Sequence, residues 1–349
     1  MAYTTVNKSS LFMNTKLYTG NANANHGVTG VGFQPDWTWL KQRDGTRTHR
    51  LYDAIRGATY WIDSSATNAS TVDTNGLKSF NSDGFTLGTG GISNENNANF
   101  VSWNWVGGTS VSGNTSGSGT SRSYTGRINT TSKFGIYKYQ GNGTGGHTIP
   151  HGLGAVPTMI ITHRINDAEI FVNYHKKLTA SKFIRWNSTT TPQTASNRWN
   201  GTTPTSTVFT LGSEGEVNGG SDTYITYVFC DVPGYCKVGS YTGNGDADGT
   251  FSYTGFNPTW VMTKCISDTS NWEIKDNKRS TFNTVDDFLK SNASSAEDTG
   301  VASHAMDFLS NGFKQKGGND ETNGQNREYI FMAFGQSLVG TNNIPATAK

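Results

Sequence analysis

Apolar and polar positions alternate with a period of two in DWTWLK at 36–41, where Trp37, Trp39 and Lys41 fall on one face and Asp36, Thr38 and Leu40 on the other. Such alternation is the mark of a strand. MIITH at 159–163 is instead almost continuously apolar, which predicts a strand buried on both faces. Aromatic runs at 100–105 (FVSWNW), 224–229 (YITYVF) and 329–334 (YIFMAF) read as further strands. One segment departs from the period of two. In TFNTVDDFLKS at 281–291, Phe282, Val285 and Leu289 fall at i, i+3 and i+7 with Asp286 and Asp287 opposite, which predicts a helix of about three turns.

These strands recur in order. A Tyr-x-Gly-Asn motif opens each repeat at Tyr18, Tyr139 and Tyr241, and Pro35, Pro157 and Pro258 follow 17, 18 and 17 residues later, each leading into an apolar run. Asp53, His175 and Asp276 each lie 18 residues beyond that proline. Phe85, Phe209 and Phe313 precede the aromatic strands, which end at Trp105, Phe229 and Phe334 and begin 15, 15 and 16 residues after those phenylalanines. A repeat this long makes a whole domain the unit. The expectation is all-β, with three tandem β-sandwich modules of jelly-roll-like or concanavalin-like form.

The predicted boundaries are an N-terminal arm at 1–16, module 1 at 17–106, a Gly/Ser/Thr linker and lead-in strand at 107–133, module 2 at 134–236, module 3 at 237–336 and a C-terminal tail at 337–349. GGTSVSGNTSGSGTSRS at 107–123 has Val111 as its one aliphatic residue and reads as flexible. Composition agrees with strands and turns: aromatics reach 12%, charged residues only 15%, and 42 glycines accompany abundant Ser, Thr and Asn. A net charge of +2 gives no electrostatic footprint for nucleic acid. The N-terminus lacks a basic region followed by an apolar core, and no apolar run approaches a membrane span, so the expected product is made in the cytoplasm without a secretion signal and has no membrane partner. Cys230, Cys236 and Cys265 read as reduced, a Cys230–Cys236 disulfide being the alternative.

Motifs for chemistry fail on context. Gly141, Gly143 and Gly146 satisfy a dinucleotide-type glycine pattern, but HTIPHGLG follows where a helix would have to start, so the stretch reads as a turn. His147 and His151 have the spacing of helical metal ligands with Pro150 between them, so His151 is expected to close a turn instead. Asp246 and Asp248 lack the glutamate that completes a calcium loop. Asp53 and Asp276 share a repeat position with His175, which favours turn-capping carboxylates over catalytic ones. No catalytic residue, metal or cofactor is expected.

The chain resembles a group of proteins common in marine tailed bacteriophages. The resemblance is carried by the Tyr-Thr-Gly-Asn-Gly motif, GFQPDW at 32–37, FNSDGFTLG at 80–88, NFVSWNW at 99–105, HGLGAVP at 151–157 and DNKRS at 276–280, and it spans nearly the whole chain. It implies a virion structural protein, while the opening stretch of the middle repeat departs from the pattern in lacking a tryptophan. The expected function is therefore a non-enzymatic capsid decoration, head-fibre or tail-fibre component localised in the virion, with other phage proteins as partners. The alternative is an array of glycan-binding modules recognising a host-surface glycan, with Trp37, Trp39, Trp61, Trp103, Trp199 and Trp260 as stacking platforms. The polar ends hold too little apolar surface to order themselves, so an ordered arm implies a homo-oligomer, most simply a trimer, with an arm lying on a neighbouring chain.

Overall fold

The computed structural model describes residues 4–337 and 339. It is an all-β structure of antiparallel sheets, in which each module pairs one large sheet with one small three-stranded sheet. In chain order the first module contributes β1 (Met13–Thr19), β2 (His26–Thr29), β3 (Trp37–Gln42), β4 (Arg50–Asp53), β5 (Gly57–Ile62), β6 (Thr71–Val72), β7 (Leu77–Asn81), β8 (Gly84–Leu87) and β9 (Asn99–Trp105). Its large sheet has the order β1-β9-β3-β4-β5-β6 and its small sheet β2-β8-β7. Next come β10 (Thr109–Asn114), β11 (Ser116–Gly117), β12 (Ser123–Asn129), β13 (Phe134–Gln140), β14 (His147–Pro150), β15 (Pro157–Arg164), β16 (Val172–His175), β17 (Lys182–Arg185), β18 (Gln193–Thr194), β19 (Val208–Leu211) and β20 (Thr223–Cys230). The third module has β21 (Cys236–Thr242), β22 (Phe251–Tyr253), β23 (Phe256–Cys265), β24 (Trp272–Asp276), β25 (Leu289–Lys290), β26 (Met306–Leu309), β27 (Gly312–Gln315) and β28 (Glu328–Ser337).

Register makes the repeat equivalence explicit. Trp37 pairs with Trp105 and Asp53, Met159 with Phe229 and His175, and Trp260 with Phe334 and Asp276. Pro35 precedes β3, while Pro157 opens β15 and Pro258 is the third residue of β23, with a bulge after each of the last two. A proline removes a ladder donor, so it is tolerated at this irregular start and not farther along.

Each module has its own sandwich core, with Phe85, Phe209 and Phe313 at its centre and fully buried. The opposite faces of the three large sheets meet in a fourth core common to all modules. Alternate residues of the closing strands reach into it: Val101, Trp103 and Trp105 from β9, Ile225, Tyr227 and Phe229 from β20, and Ile330, Met332 and Phe334 from β28. The strands after the prolines add Trp37, Trp39, Met159, Ile161, Trp260 and Met262. Trp105 stacks on Trp37 with ring centroids 4.3 Å apart and meets Trp260 and Phe334 edge-on, so indoles of two modules interlock. Each buried indole removes about 150–250 Å² from water, worth about 4–6 kcal/mol at ~25 cal/mol per Å². Separating the modules would expose several at once, which exceeds the ~5–15 kcal/mol that holds a typical domain folded. The three modules therefore stand as one body.

Three expectations are corrected here. The tract at 107–123 is not a flexible linker: β10 and β12 form a hairpin that extends the second large sheet beyond β13, and β11 joins the small sheet beside β14. Asp36 anchors its start by accepting the N–H groups of Gly107 and Gly108, both at 2.8 Å. The glycine-rich composition suits an edge strand as well as it suits a coil. Residues 281–291 form no helix. Val285 bridges to Met306, and Leu289 and Lys290 add β25 beside β24, while Phe282 stays 79% exposed. Strand partners elsewhere in the chain thus override a helical period too short to nucleate alone. Residues 4–16 of the predicted N-terminal arm are ordered by contacts with their own chain. Val6 is fully buried in the common core, Thr5 donates to the Thr131 carbonyl and Ser9 to Gln336 Oε1. Residues 338 and 340–349 of the predicted tail and 1–3 of the predicted arm lie outside the described residues.

Candidate functional site

The residues of the opening motif assemble a local staple. Tyr18, Tyr139 and Tyr241 each donate a hydroxyl hydrogen bond to a carbonyl in the turn before the closing strand, those of Ser93, Val217 and Thr322, at 2.8, 2.8 and 2.6 Å. From that turn a buried asparagine reaches back. Asn94, Asn218 and Asn323 each accept the backbone N–H of the residue after the motif glycine and donate to two or three acceptors around it. The glycines Gly20, Gly141 and Gly243 are fixed by closeness, since a Cβ there would lie 2.1, 2.3 and 2.4 Å from a backbone oxygen. Sequence reasoning missed these asparagines. Their signal was present, because each stands six residues before the first aromatic of its closing strand.

The position 18 residues past the proline forms a second constellation, at the joints between modules. Asp53 Oδ1 caps the following turn by accepting the N–H groups of Ile55 and Arg56, while Oδ2 pairs with Arg56 at 2.6 Å and accepts the Tyr227 hydroxyl of module 2 at 2.8 Å. Asp276 repeats this with Lys278 and Arg279, and accepts the Trp103 indole N–H of module 1 at 2.9 Å. Arg279 continues to Glu297, which also pairs with Arg43 of module 1. Although burial opposes its charge, the Arg279 guanidinium and these donors hold the Asp276 carboxyl below its ordinary range. At the third joint the partner position on β28 is Met332, which offers no donor. His175 stands there instead, with Leu178 three residues on where the other modules have arginine. Burial drives this ring to a pKa of about 3, so it is neutral; Nδ1 accepts the Lys177 N–H, and Nε2 makes no full hydrogen bond although the Phe331 carbonyl lies nearby.

A third position, six residues past the proline, holds Lys41, His163 and Lys264, all buried. Burial lowers Lys41 and Lys264 to about 8 and His163 to about 4. Lys264 donates to the Thr189 and Ser270 carbonyls and His163 Nε2 to that of Asn68, so these side chains also tie modules together.

Among the described residues one group could offer three metal ligands, Glu273, His304 and Glu321, with ligand atoms within 4.8 Å of one another. Glu273 already has its charges met: Lys275 lies 2.7 Å from one oxygen and His304 Nδ1 2.7 Å from the other. Burial alone would raise this carboxyl, yet Lys275 and His304 bring it down to about 2. Glu321 accepts from Asn271. The cluster carries its own cation in Lys275 and reads as a buried ion pair supporting β24.

The remaining sequence candidates find local partners. Gly141–Gly146 is the turn between β13 and β14, His151 bonds the Thr205 carbonyl and the Leu153 N–H, and the three cysteines are free and buried. The tryptophan platforms are lost. Trp37, Trp39, Trp103, Trp199 and Trp260 are buried, and the Arg50 guanidinium covers Trp61 at 3.3 Å from the ring centroid. No helix among the described residues is long and apolar enough to cross a membrane.

Residues 8–337 match a single family model, described as a domain of unknown function, DUF7483. The chain belongs to this family. The match runs through all three modules without a break, in keeping with a DUF7483 domain whose modules share one core. No curated protein and no solved structure matches the chain.

Proposed function

We propose that this DUF7483 chain is a non-enzymatic structural component of a bacteriophage particle, a capsid decoration, head-fibre or tail-fibre protein that acts through assembly contacts with other particle proteins. The observation that carries the reading is the use to which the repeated residues are put. The opening tyrosine and glycine, the asparagine that reaches back to them, the proline, the buried phenylalanine and the residue 18 past the proline all serve packing, capping or a joint between modules. A catalytic repeat would instead direct at least one such group into an accessible cleft. The sequence resemblance to virion proteins supports the placement, and the interlocked core suits a rigid body with long exposure to solvent. Quantitative mass spectrometry of purified particles tests it. A decoration protein should be present at hundreds of copies and a tail component at a handful, whereas absence from washed particles would refute a virion role.

A further inference from the structure

The three modules differ where the first small-sheet strand faces outward. Val28, Ile149 and Ser252 are equivalent, because they pair with Phe85, Phe209 and Phe313. Flanking them, module 1 has Gly27 and Thr29, module 2 has Thr148 and Pro150, and module 3 has Phe251 and Tyr253. The two rings of module 3 are 43% and 59% exposed and belong to no core. The Phe251 ring rests on β27, where a Cβ on Gly312 would come within 2.9 Å of it.

In module 2 this side of the sandwich is covered, since β12 runs along β13 and Ser116 of β11 pairs with Thr148. In module 3 the corresponding strands β21 and β22 are both sheet edges, and a cleft of about 540 Å³ lies between them. Lys176 from module 2 and Lys237 line it, and both pair with the single carboxylate oxygen Oδ2 of Asp231, at 2.7 and 3.2 Å, so one positive charge is left over. The Val238 N–H turns away from β28 to Asp231, and by strand alternation the N–H and C=O of Ser240 point the same way. Ser252, between the two rings in sequence, is buried and its Oγ has no partner.

We propose that this cleft binds an acidic saccharide. Aromatic rings two residues apart on one strand face lie about 6.5–7 Å apart, a spacing that lets adjacent sugar units stack their C–H faces on Phe251 and Tyr253. The lysine pair receives a uronate-type carboxylate, and Ser240 supplies main-chain donor and acceptor groups to the hydroxyls. An added polypeptide strand is the competing occupant, because a strand fills the equivalent space in module 2. That strand needs neither exposed rings nor a surplus cation, as Thr148 and Pro150 show, and both features in module 3 favour a sugar. The inference does not depend on where in a particle the chain resides.

Isothermal titration of the full chain with tetragalacturonate, and with neutral maltotetraose as comparison, tests the proposal. The uronate should bind more tightly, and its affinity should fall as salt is raised. Tyr253→Ala and Phe251→Ala should each weaken it about tenfold, equivalent to ~1.4 kcal/mol, with the folded state retained in thermal melts because neither ring belongs to a core. Lys237→Gln should weaken the uronate and leave the neutral sugar unaffected. Equal affinity for both tetrasaccharides, no binding of either, or binding that survives the double aromatic substitution would overturn the proposal. So would the finding that a synthetic peptide of residues 107–131 binds in place of the sugar and protects the Ser240 amide from hydrogen exchange.

Discussion

Two of the three joints between modules are built on a carboxylate, and the third on a neutral histidine. Where the facing closing strand offers Trp103 or Tyr227, an aspartate receives its hydrogen and an arginine three residues on balances the charge. Where the facing residue is Met332, a buried carboxylate would lack that donor, and both charged members are absent. A buried charge is tolerated only with its complete set of partners, so aspartate, arginine and donor behave as one unit that is present or missing together.

The sharpest way to break the comparison is to remove one member of a charged joint. Asp276→Ala leaves Arg279 buried against Glu297 alone and the Trp103 indole without an acceptor, and should cost about 3–5 kcal/mol in chemical denaturation. His175→Ala, which strands no charge, should cost less than half as much. An equal loss at both joints would show that packing rather than charge pairing governs them.

Transplanting the unit tests whether its members belong together. His175→Asp alone places an unpaired carboxylate beside the Phe331 carbonyl and should lose about 2–3 kcal/mol. Adding Leu178→Arg and Met332→Tyr supplies the guanidinium and the hydroxyl that module 1 uses, and should restore most of the loss. A triple variant no better than the single one would dissociate the three positions.

Acid separates the joints by a smaller increment. Burial lowers His49 and His175 to about 3 and His163 to about 4, whereas an unfolded histidine titrates near 6.5. Between those limits the unfolded chain binds more protons, so stability falls as pH drops below about 6.5, by about 1.4 kcal/mol per pH unit for each ring. Melting curves from pH 7 to 4.5 should show this slope, and His175→Gln should remove one ring's share of it, about 1.4 kcal/mol per pH unit. Glu273, held to about 2, withdraws its contribution later, as pH falls from its unfolded value near 4.5. A slope unchanged in the glutamine variant would mean that His175 is already charged in the folded chain.

Much of the single-module architecture was legible, because strand order and register follow from spacings that can be counted along the chain. The prolines, the aromatic strands and Phe85, Phe209 and Phe313 mark equivalent places for that reason. The common core was hidden. In β3 the alternation of Trp37 and Trp39 with Thr38 and Leu40 looks like one wet and one dry face, yet every residue of the strand is buried, including Lys41. Period two reports that the faces differ, not which of them meets water, and here both meet protein. The hairpin at 107–133 and the irregular stretch at 281–291 escaped the sequence reading because their structure comes from partners distant in sequence, to which local composition is blind. His175 stands out in the sequence as an exception to its repeat position. Its reason lies across the joint on β28, where Met332 holds the place that Trp103 and Tyr227 hold in the other closing strands.

Because each joint is formed once within a single polypeptide, the three are free to differ. In an assembly of three identical subunits, exchanging aspartate for histidine would alter every interface together, and the facing methionine would have to suit all of them at once. Covalent succession lifts that constraint. One joint can change its chemistry while the other two continue to hold the ring closed, and the module between altered neighbours can take on an edge, a cleft or a surface that its siblings do not share.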